Sequence, residues 1–232
     1  MDTGSPIVLC KRSGVSCFPF RKDPTRDCML TELQIQFPDH QRSWPTGFEG
    51  GIAHRLDVPT SGQLLVARTE AQLEELRRDF TRKQLLKRYV FLTRKTVPWK
   101  TNVVSFPIGH DKKSRRKMIV QRGQNTPHRG KWYAATTKLT HLASAPMTKG
   151  ASDLQLWQAT MKTGVMHQIR LHAAFAGLAL VGDNLYGGGQ SPSYFPSHFA
   201  LHHCGIQSER WAVHDVPVPS WWPKWAQNAV NP

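Results

Sequence analysis

The sequence predicts an α+β fold: a mixed, mainly antiparallel sheet flanked by helices and long loops, in a single domain over residues 1–232. Through the middle of the chain, short apolar runs alternate with turns, as a large mixed or antiparallel sheet requires. Two segments, near 70–84 and 163–177, instead carry apolar residues at helical spacing. The 232 residues are enough to bury a substantial core in one large domain.

In chain order, Ile7-Val8-Leu9-Cys10 reads as a strand running into a turn at Ser13-Gly14. Residues 21–50 are polar and proline-interrupted, so mostly loop is expected there, with one amphipathic piece near Leu30 to Phe37. Gln63 to Ala67 is short and apolar, which suits a buried strand. Thr69 with Gln72 three residues on resembles a capping box, and Leu73, Leu76 and Phe80 follow at helical spacing, predicting a helix from about 70 to 84. Arg88 to Thr93 returns to strand composition. From Thr163 to Gly177, Ile169, Ala173 and Ala176 share one helical face, and Gly177 is placed to end the helix. The closing region, with Pro192, Pro196, Pro217, Pro219 and Pro223, reads as irregular cover.

Charge narrows the class of partner. Lys plus Arg total 31 against 16 Asp plus Glu, a formal charge of +15. Such an excess suits a phosphate backbone, which is bound by releasing condensed counterions. The longest apolar run, around Ala173 to Val181, is too short to span a bilayer, and no basic amphipathic segment has a continuous apolar face. Nucleic acid therefore ranks well ahead of lipid, and no membrane partner is expected. Cys10, Cys17, Cys28 and Cys204 form no C-x-x-C pair and follow no signal peptide, which points to reduced thiols in an intracellular compartment. The N-terminus lacks transit-peptide character, and mitochondrion, nucleus and cytoplasm all stay open.

Two windows carry chemistry. In Gly50 to Gly62, Asp57 stands beside His54 and Arg55 between glycine-bearing turns, with Pro59 fixing one dihedral. Such an acid, held at a bend, is a candidate nucleophile; the alternative is a polar loop whose Asp caps a neighbour. The second window is Lys162 to His172, followed by Val181-Gly182-Asp183-Asn184-Leu185-Tyr186-Gly187-Gly188. His167 and His172, like His198 and His202, are spaced as metal ligands are, but without acidic or cysteine partners the structural reading is preferred and no metal is expected.

Together these windows resemble the RluA family of pseudouridine synthases. Residues 54–62 match its H-R-L-D-x-x-T-S-G signature at every specified position, and the later H-Q-I-R-x-H, V-G-D-x-x-Y-G-G and K-x-Y elements stand at 167–172, 181–188 and 87–89. Weaker echoes extend the match to about 7–222. The resemblance implies a pseudouridine synthase catalytic domain alone, without an S4-type RNA-binding domain. Arg12 stands where the opening K-P-x-G turn usually has proline, and Val165 and Met166 replace the arginine and a small polar residue of the T-G-R-x-H element.

The resemblance also implies roles. Asp57 is the nucleophile, attacking sugar or base; Arg170 is the arginine that pairs with the acid; Tyr89 contacts the target base; Arg55 helps hold RNA with the base extruded. On composition alone, Arg170 would be a surface arginine in a first helical turn and Tyr89 a core strand residue. A neighbouring guanidinium favours an ionised carboxylate, and carboxylates stabilise oxocarbenium character in glycosidic cleavage. His54, Thr60, Lys87, His167 and Gln168, within the matched elements, are assigned to substrate or RNA binding, His54 chiefly as a brace of its loop. The densest basic run, Lys112, Lys113, Arg115, Arg116 and Lys117, is assigned to backbone contact, although it also resembles a nuclear import signal. Arg77, Arg78, Arg82, Lys83, Lys87 and Arg88 suggest a second basic surface. No cofactor is expected. The expected partner is RNA, foremost large ribosomal RNA or a pre-ribosomal particle, with transfer RNA and ribosome-assembly proteins as further candidates. The alternative function is a ribosome-assembly or RNA-binding factor that uses the synthase fold as a platform with weak or no catalysis.

Overall fold

The order of elements follows the apolar runs of the sequence: β1 (Ile7–Lys11), α1 (Met29–Gln36), β2 (Ser61–Val66), α2 (Glu70–Thr81), β3 (Leu86–Thr93), β4 (Thr101–Val104), β5 (Ile108–Asp111), β6 (Met118–Val120), β7 (His128–Tyr133), β8 (Thr137–Ser144), β9 (Gln155–Met161), α3 (Gln168–Phe175), β10 (Leu201–Gln207) and α4 (Lys224–Val230). The computed structural model describes residues 4–20, 23, 26–145, 153–189 and 200–230; His198, Pro192 and Pro196, singled out above, lie outside them. The chain divides into two compact units, Met1–Lys87 with His202–Pro217, and Arg88–Leu201 with Val218–Pro232.

In the first unit β1 runs antiparallel to β2, with Ile7 opposite Val66 and Lys11 opposite Gly62, while β10 runs parallel to β2 on its other side. That makes β2 a central strand, and all six of its residues are buried. Its polar members are satisfied in place. Ser61 Oγ pairs with His202 Nδ1 at 2.9 Å, and Gln63 Nε2 donates to the His214 carbonyl at 2.7 Å. Leu73 and Leu76 of α2 pack with Trp44, Leu65, Leu85, Ile206 and Trp211.

Helix α2 starts where the sequence predicts. Thr69 Oγ1 accepts from the Gln72 N–H at 3.1 Å, and Gln72 Oε1 accepts in turn from the Arg68 N–H at 2.7 Å. It ends at Thr81, three residues short of the expected 84. Lys83 takes a left-handed conformation (φ 57°), and the N–H groups of Lys83 and Gln84 return to the carbonyls of Phe80 and Asp79. This is the Schellman arrangement normally closed by glycine.

The second unit places β3, β9, β8 and β4 side by side, with β4–β8 and β8–β9 antiparallel, and adds a separate sheet in the order β6-β5-β7. Ile108, Met118, Val120 and Ala135 pack against Leu171 of α3. Helix α3 begins at Gln168, five residues later than Thr163, because His167 is left-handed (φ 58°) and the preceding residues form a turn. Its end is the predicted one: the N–H groups of Gly177 and Leu178 close on the carbonyls of Ala174 and Ala173. Of the closing region, residues 200–230 are described, and these are irregular except for β10 and α4. Pro223 supplies the carbonyl that receives the N–H groups of Ala226 and Gln227, so it starts the short helix α4 that periodicity did not reveal. No helix among the described residues is long and apolar enough to cross a membrane.

Because a left-handed lysine costs roughly 1 kcal/mol relative to glycine, Lys83→Gly should stabilise the protein by about that amount. A rise in the urea midpoint at unchanged m-value measures it.

Candidate active site

The Asp57 loop is held through its backbone, one carbonyl at a time. On its N-terminal side, the Ala53 N–H donates to the Leu65 carbonyl at 2.9 Å and the Ala67 N–H to Gly51 at 2.8 Å, so the chain enters along β2. His54 Nε2 then accepts from the Leu65 N–H at 3.1 Å. An accepting Nε2 carries no proton, and burial holds the imidazole well below its ordinary pKa, with His203 and Lys87 adding to the effect. His54 is therefore neutral and ties its loop to β2.

Leu56 exchanges two contacts with one sulfur: its N–H meets Cys17 Sγ at 3.3 Å and the thiol donates to its carbonyl at 3.6 Å. The Asp57 carbonyl accepts from the Thr60 N–H at 3.0 Å. The Val58 carbonyl receives both the Gly14 N–H and Lys11 Nζ, each at 2.9 Å. The Pro59 carbonyl receives Ser13 Oγ at 2.6 Å. Every carbonyl from Leu56 to Pro59 is thus occupied, and the half-buried Asp57 sits in the middle.

Lys11 is the pivot of this arrangement. Its side chain is fully buried, and the ammonium spends its three protons on the carbonyls of Arg12, Val15 and Val58 at 3.0, 2.6 and 2.9 Å. Desolvation lowers its pKa to about 8, against the opposing pull of Cys17 and of the Asp57 carboxylate. Arg12, where the family usually has proline, pairs with Glu32 of α1 on the surface, so the turn gains a tether in place of a rigid ring.

In the second unit, Arg170 on α3 is buried and forks onto Asp183: Nε to Oδ2 at 2.7 Å and Nη2 to Oδ1 at 2.8 Å. The fork fixes the guanidinium plane and offsets its charge. The V-G-D-x-x-Y-G-G segment wraps around this pair. Asp183 Oδ1 also accepts from the Leu185 N–H at 3.1 Å, and the Arg170 guanidinium lies 5.1 Å from the Tyr186 ring centre. The Tyr186 hydroxyl accepts from the Met118 N–H and pairs with His167 Nδ1, both at 2.9 Å. At Gly188 a Cβ would lie 1.6 Å from the Leu180 carbonyl oxygen, so no larger residue fits this turn.

The remaining predicted residues divide by exposure. Arg55, Lys112, Lys113, Arg115, Arg116 and Lys117 are exposed, as contact with RNA requires. Thr60 and Tyr89 are buried. Gln168 is buried and used up inside the fold: Nε2 donates to the Thr136 carbonyl and to the hydroxyls of Thr137 and Thr163, and Oε1 accepts from the Val165 N–H. Gln168 and His167 therefore shape the turn before α3. Lys87 is also buried, 5.8 Å from the Phe80 ring centre, with its pKa lowered to about 8 by desolvation, so it does not belong to the exposed surface formed by Arg77, Arg78, Arg82 and Lys83. Val165 packs against the apolar cluster around Ile108, while Met166 is exposed. Among the described residues no group of His, Cys, Asp or Glu is arranged to hold a metal ion. Sequence reasoning assigned no role to Lys11, Cys17, Asp183 or Tyr186. The available signals were Lys11 in the opening turn and the single acid of V-G-D-x-x-Y-G-G, since a buried arginine calls for a carboxylate.

A family model described as RNA pseudouridylate synthase matches residues 6–175, which include β1, the Asp57 loop, β3 and Arg170. The chain belongs to that family. It is 28% identical over 203 residues to the dual-specificity RNA pseudouridine synthase RluA of Haemophilus ducreyi, covering 82% of this chain and 77% of that protein. It is 32% identical over 161 residues to the chloroplastic RNA pseudouridine synthase 2 of Oryza sativa subsp. japonica, covering 68% of this chain and 35% of the relative. Against this and two further relatives it spans 35%, 41% and 33% of their length. The solved structure of human RNA Pseudouridylate Synthase Domain Containing 1 shares the fold, with a TM-score of 0.71 at 21% identity over 97% of this chain and 84% of that one.

Two substitutions test these supports. Lys11→Met removes the donors while keeping the bulk, and should loosen the Asp57 loop, read as hydrogen exchange at least about tenfold faster at the Gly14 and Thr60 amides with α2 unchanged. Asp183→Ala removes both charge-assisted hydrogen bonds of the fork from a buried guanidinium and should destabilise the fold by about 3–5 kcal/mol, read from urea unfolding.

Proposed function

We propose that this chain isomerises uridine to pseudouridine in structured RNA, with Asp57 as the nucleophile. The observation that carries the reading is the backbone clamp around Asp57, which holds one carboxylate in place within an intact family signature. In the reaction the N1–C1′ bond breaks, the uracil turns while bound, and C5 joins C1′. N1 takes up a proton and the C5 hydrogen is released. Asp57 attacks C1′ or the base and leaves again when the new bond forms. Arg170, its plane fixed by Asp183, takes the family role of the acid-pairing arginine. Tyr89 takes that of the base-contacting tyrosine, and the exposed Arg55 that of holding RNA with the uridine out of its stack. The substrate we favour is large ribosomal RNA, with transfer RNA as the alternative. Among the relatives, the Haemophilus ducreyi protein is named as having dual specificity.

A second reading rests on Val165. Its side chain is packed into the apolar cluster around Ile108, so this position does not supply the arginine charge of the T-G-R element. That favours a ribosome-assembly or RNA-binding factor built on the synthase fold.

Release of tritium from C5-labelled uridine in ribosomal and transfer RNA transcripts separates the two. The synthase reading expects release by the wild-type protein and none by Asp57→Ala, with RNA binding retained. If no RNA bound in cells yields release, and Asp57→Ala restores a deletion strain, the platform reading stands and the enzyme reading falls.

A further inference from the structure

The small sheet β6-β5-β7 carries a feature that the proposed chemistry does not use. Ile108, Met118 and Val120 are buried in the cluster with Leu171. Trp132 lies across Gly109, with ring carbons 2.8 Å from where a Cβ would stand. The pairing of β5 with β7 shifts register: Ile108 faces Tyr133 while His110 faces Arg129, so β7 advances four residues where β5 advances two. Gly130, at φ +70°, lies inside this bulge. His128 and Trp132 would stand roughly 13 Å apart on a regular strand. Here their ring centres are 4.2 Å apart with 29° between the planes.

Basic residues flank the stacked pair along β7 and occupy the neighbouring loop. Arg129 and Lys131 are exposed on the same strand, and the loop from Lys112 to Lys117 joins β5 to β6 with all five of its cationic residues exposed. That loop is braced rather than loose: Asp111 Oδ1 accepts from the N–H groups of Lys113 and Ser114, both at 2.7 Å. Arg129 Nε donates to the Asp111 carbonyl at 2.8 Å, tying the loop to the bulged strand next to His128. A stacked His–Trp pair alone is ordinary packing. Here both rings are half-exposed, a bulge brings them together, and Arg129, held on the Asp111 carbonyl, neighbours His128 on the strand. Bulges re-aim side chains, and exposed aromatic rings among cations are the elements that bind unpaired bases.

We propose that the bulged strand β7 is a second RNA contact, on which an unpaired base other than the reacting uridine stacks against the His128–Trp132 pair while the Lys112–Lys117 loop holds the flanking phosphates. The inference rests on the reading that the substrate is RNA.

The test uses the full chain carrying Asp57→Ala, so that binding is measured without turnover, and two fluorescein-labelled 12-nucleotide single-stranded RNAs. One has all its bases and the other has abasic riboses at its central positions. His128→Ala removes one exposed ring; Gly130→Val keeps both rings and every cation but opposes the left-handed bulge. Both should weaken anisotropy-measured binding of the complete strand by about tenfold, with little change on the abasic strand and an unaltered salt slope. Lys113→Ala should weaken both strands alike and flatten the slope by about one counterion. Equal losses on the two strands, or none with either variant, overturn the stacking contact, provided circular dichroism shows both variants folded as the parent. A parent that binds neither strand overturns the second RNA contact. Tritium release by the Asp57-bearing protein that is indifferent to His128→Ala would leave the isomerase reading standing.

Discussion

Lys11 is a charged group that the fold removes from water, and the carbonyls it receives in exchange tie separate stretches of chain to one point. Two of them, Arg12 and Val15, belong to the opening turn, and the third, Val58, is 47 residues away beside Asp57. Because an ammonium has three protons and no acceptor capacity, three carbonyls satisfy it fully. The turn can then contribute the Gly14 N–H and Ser13 hydroxyl to the same loop. The nearby Asp57 carboxylate in turn opposes the loss of the Lys11 charge that desolvation favours.

The Arg170–Asp183 pair repeats this logic in the second unit with different parts. A buried salt bridge is a poor source of net stability, because desolvation consumes much of its attraction. Its value here is directional. Two parallel hydrogen bonds fix a guanidinium plane, the Leu185 N–H fixes the carboxylate that receives them, and the Tyr186 ring lies beside the guanidinium itself. The two glycines that close the V-G-D-x-x-Y-G-G segment have different causes: Gly188 runs against the Leu180 carbonyl, whereas Gly187 has open space and takes a φ of +88°.

Much of the fold was legible in the sequence where local chemistry decided it. Thr69 and Gln72 announced the start of α2, and Gly177 the end of α3. The errors fell where tertiary contacts override local preference. Nothing about a lysine signals a left-handed helix end, so α2 read three residues too long. His167 adopts its left-handed conformation with its ring on Tyr186, 19 residues away, and α3 accordingly starts late. Helix α4, with seven residues after a proline, is too short for periodicity to register. At the level of single residues, motif spacing singled out Asp57, Tyr89 and Arg170 as candidates. It said nothing of Lys11, Cys17 or Asp183, whose roles are contacts spanning 47, 39 and 13 positions. It also placed Gln168 and Lys87 among binding residues, although both are buried.

The sulfur of Cys17 has a practical consequence. Its contacts to Leu56, at 3.3 and 3.6 Å, are as long as they are because sulfur is large; an oxygen in its place would fall short of the carbonyl. A serine, the usual substitute when thiols are stripped from a protein for labelling, is therefore a poor replacement here. Cys17, Cys28 and Cys204 are all buried and Cys10 is exposed, so a thiol-specific dye on the unaltered chain would go to Cys10. That residue precedes Lys11 on β1, which makes it a natural place to attach a reporter for the state of the Asp57 loop.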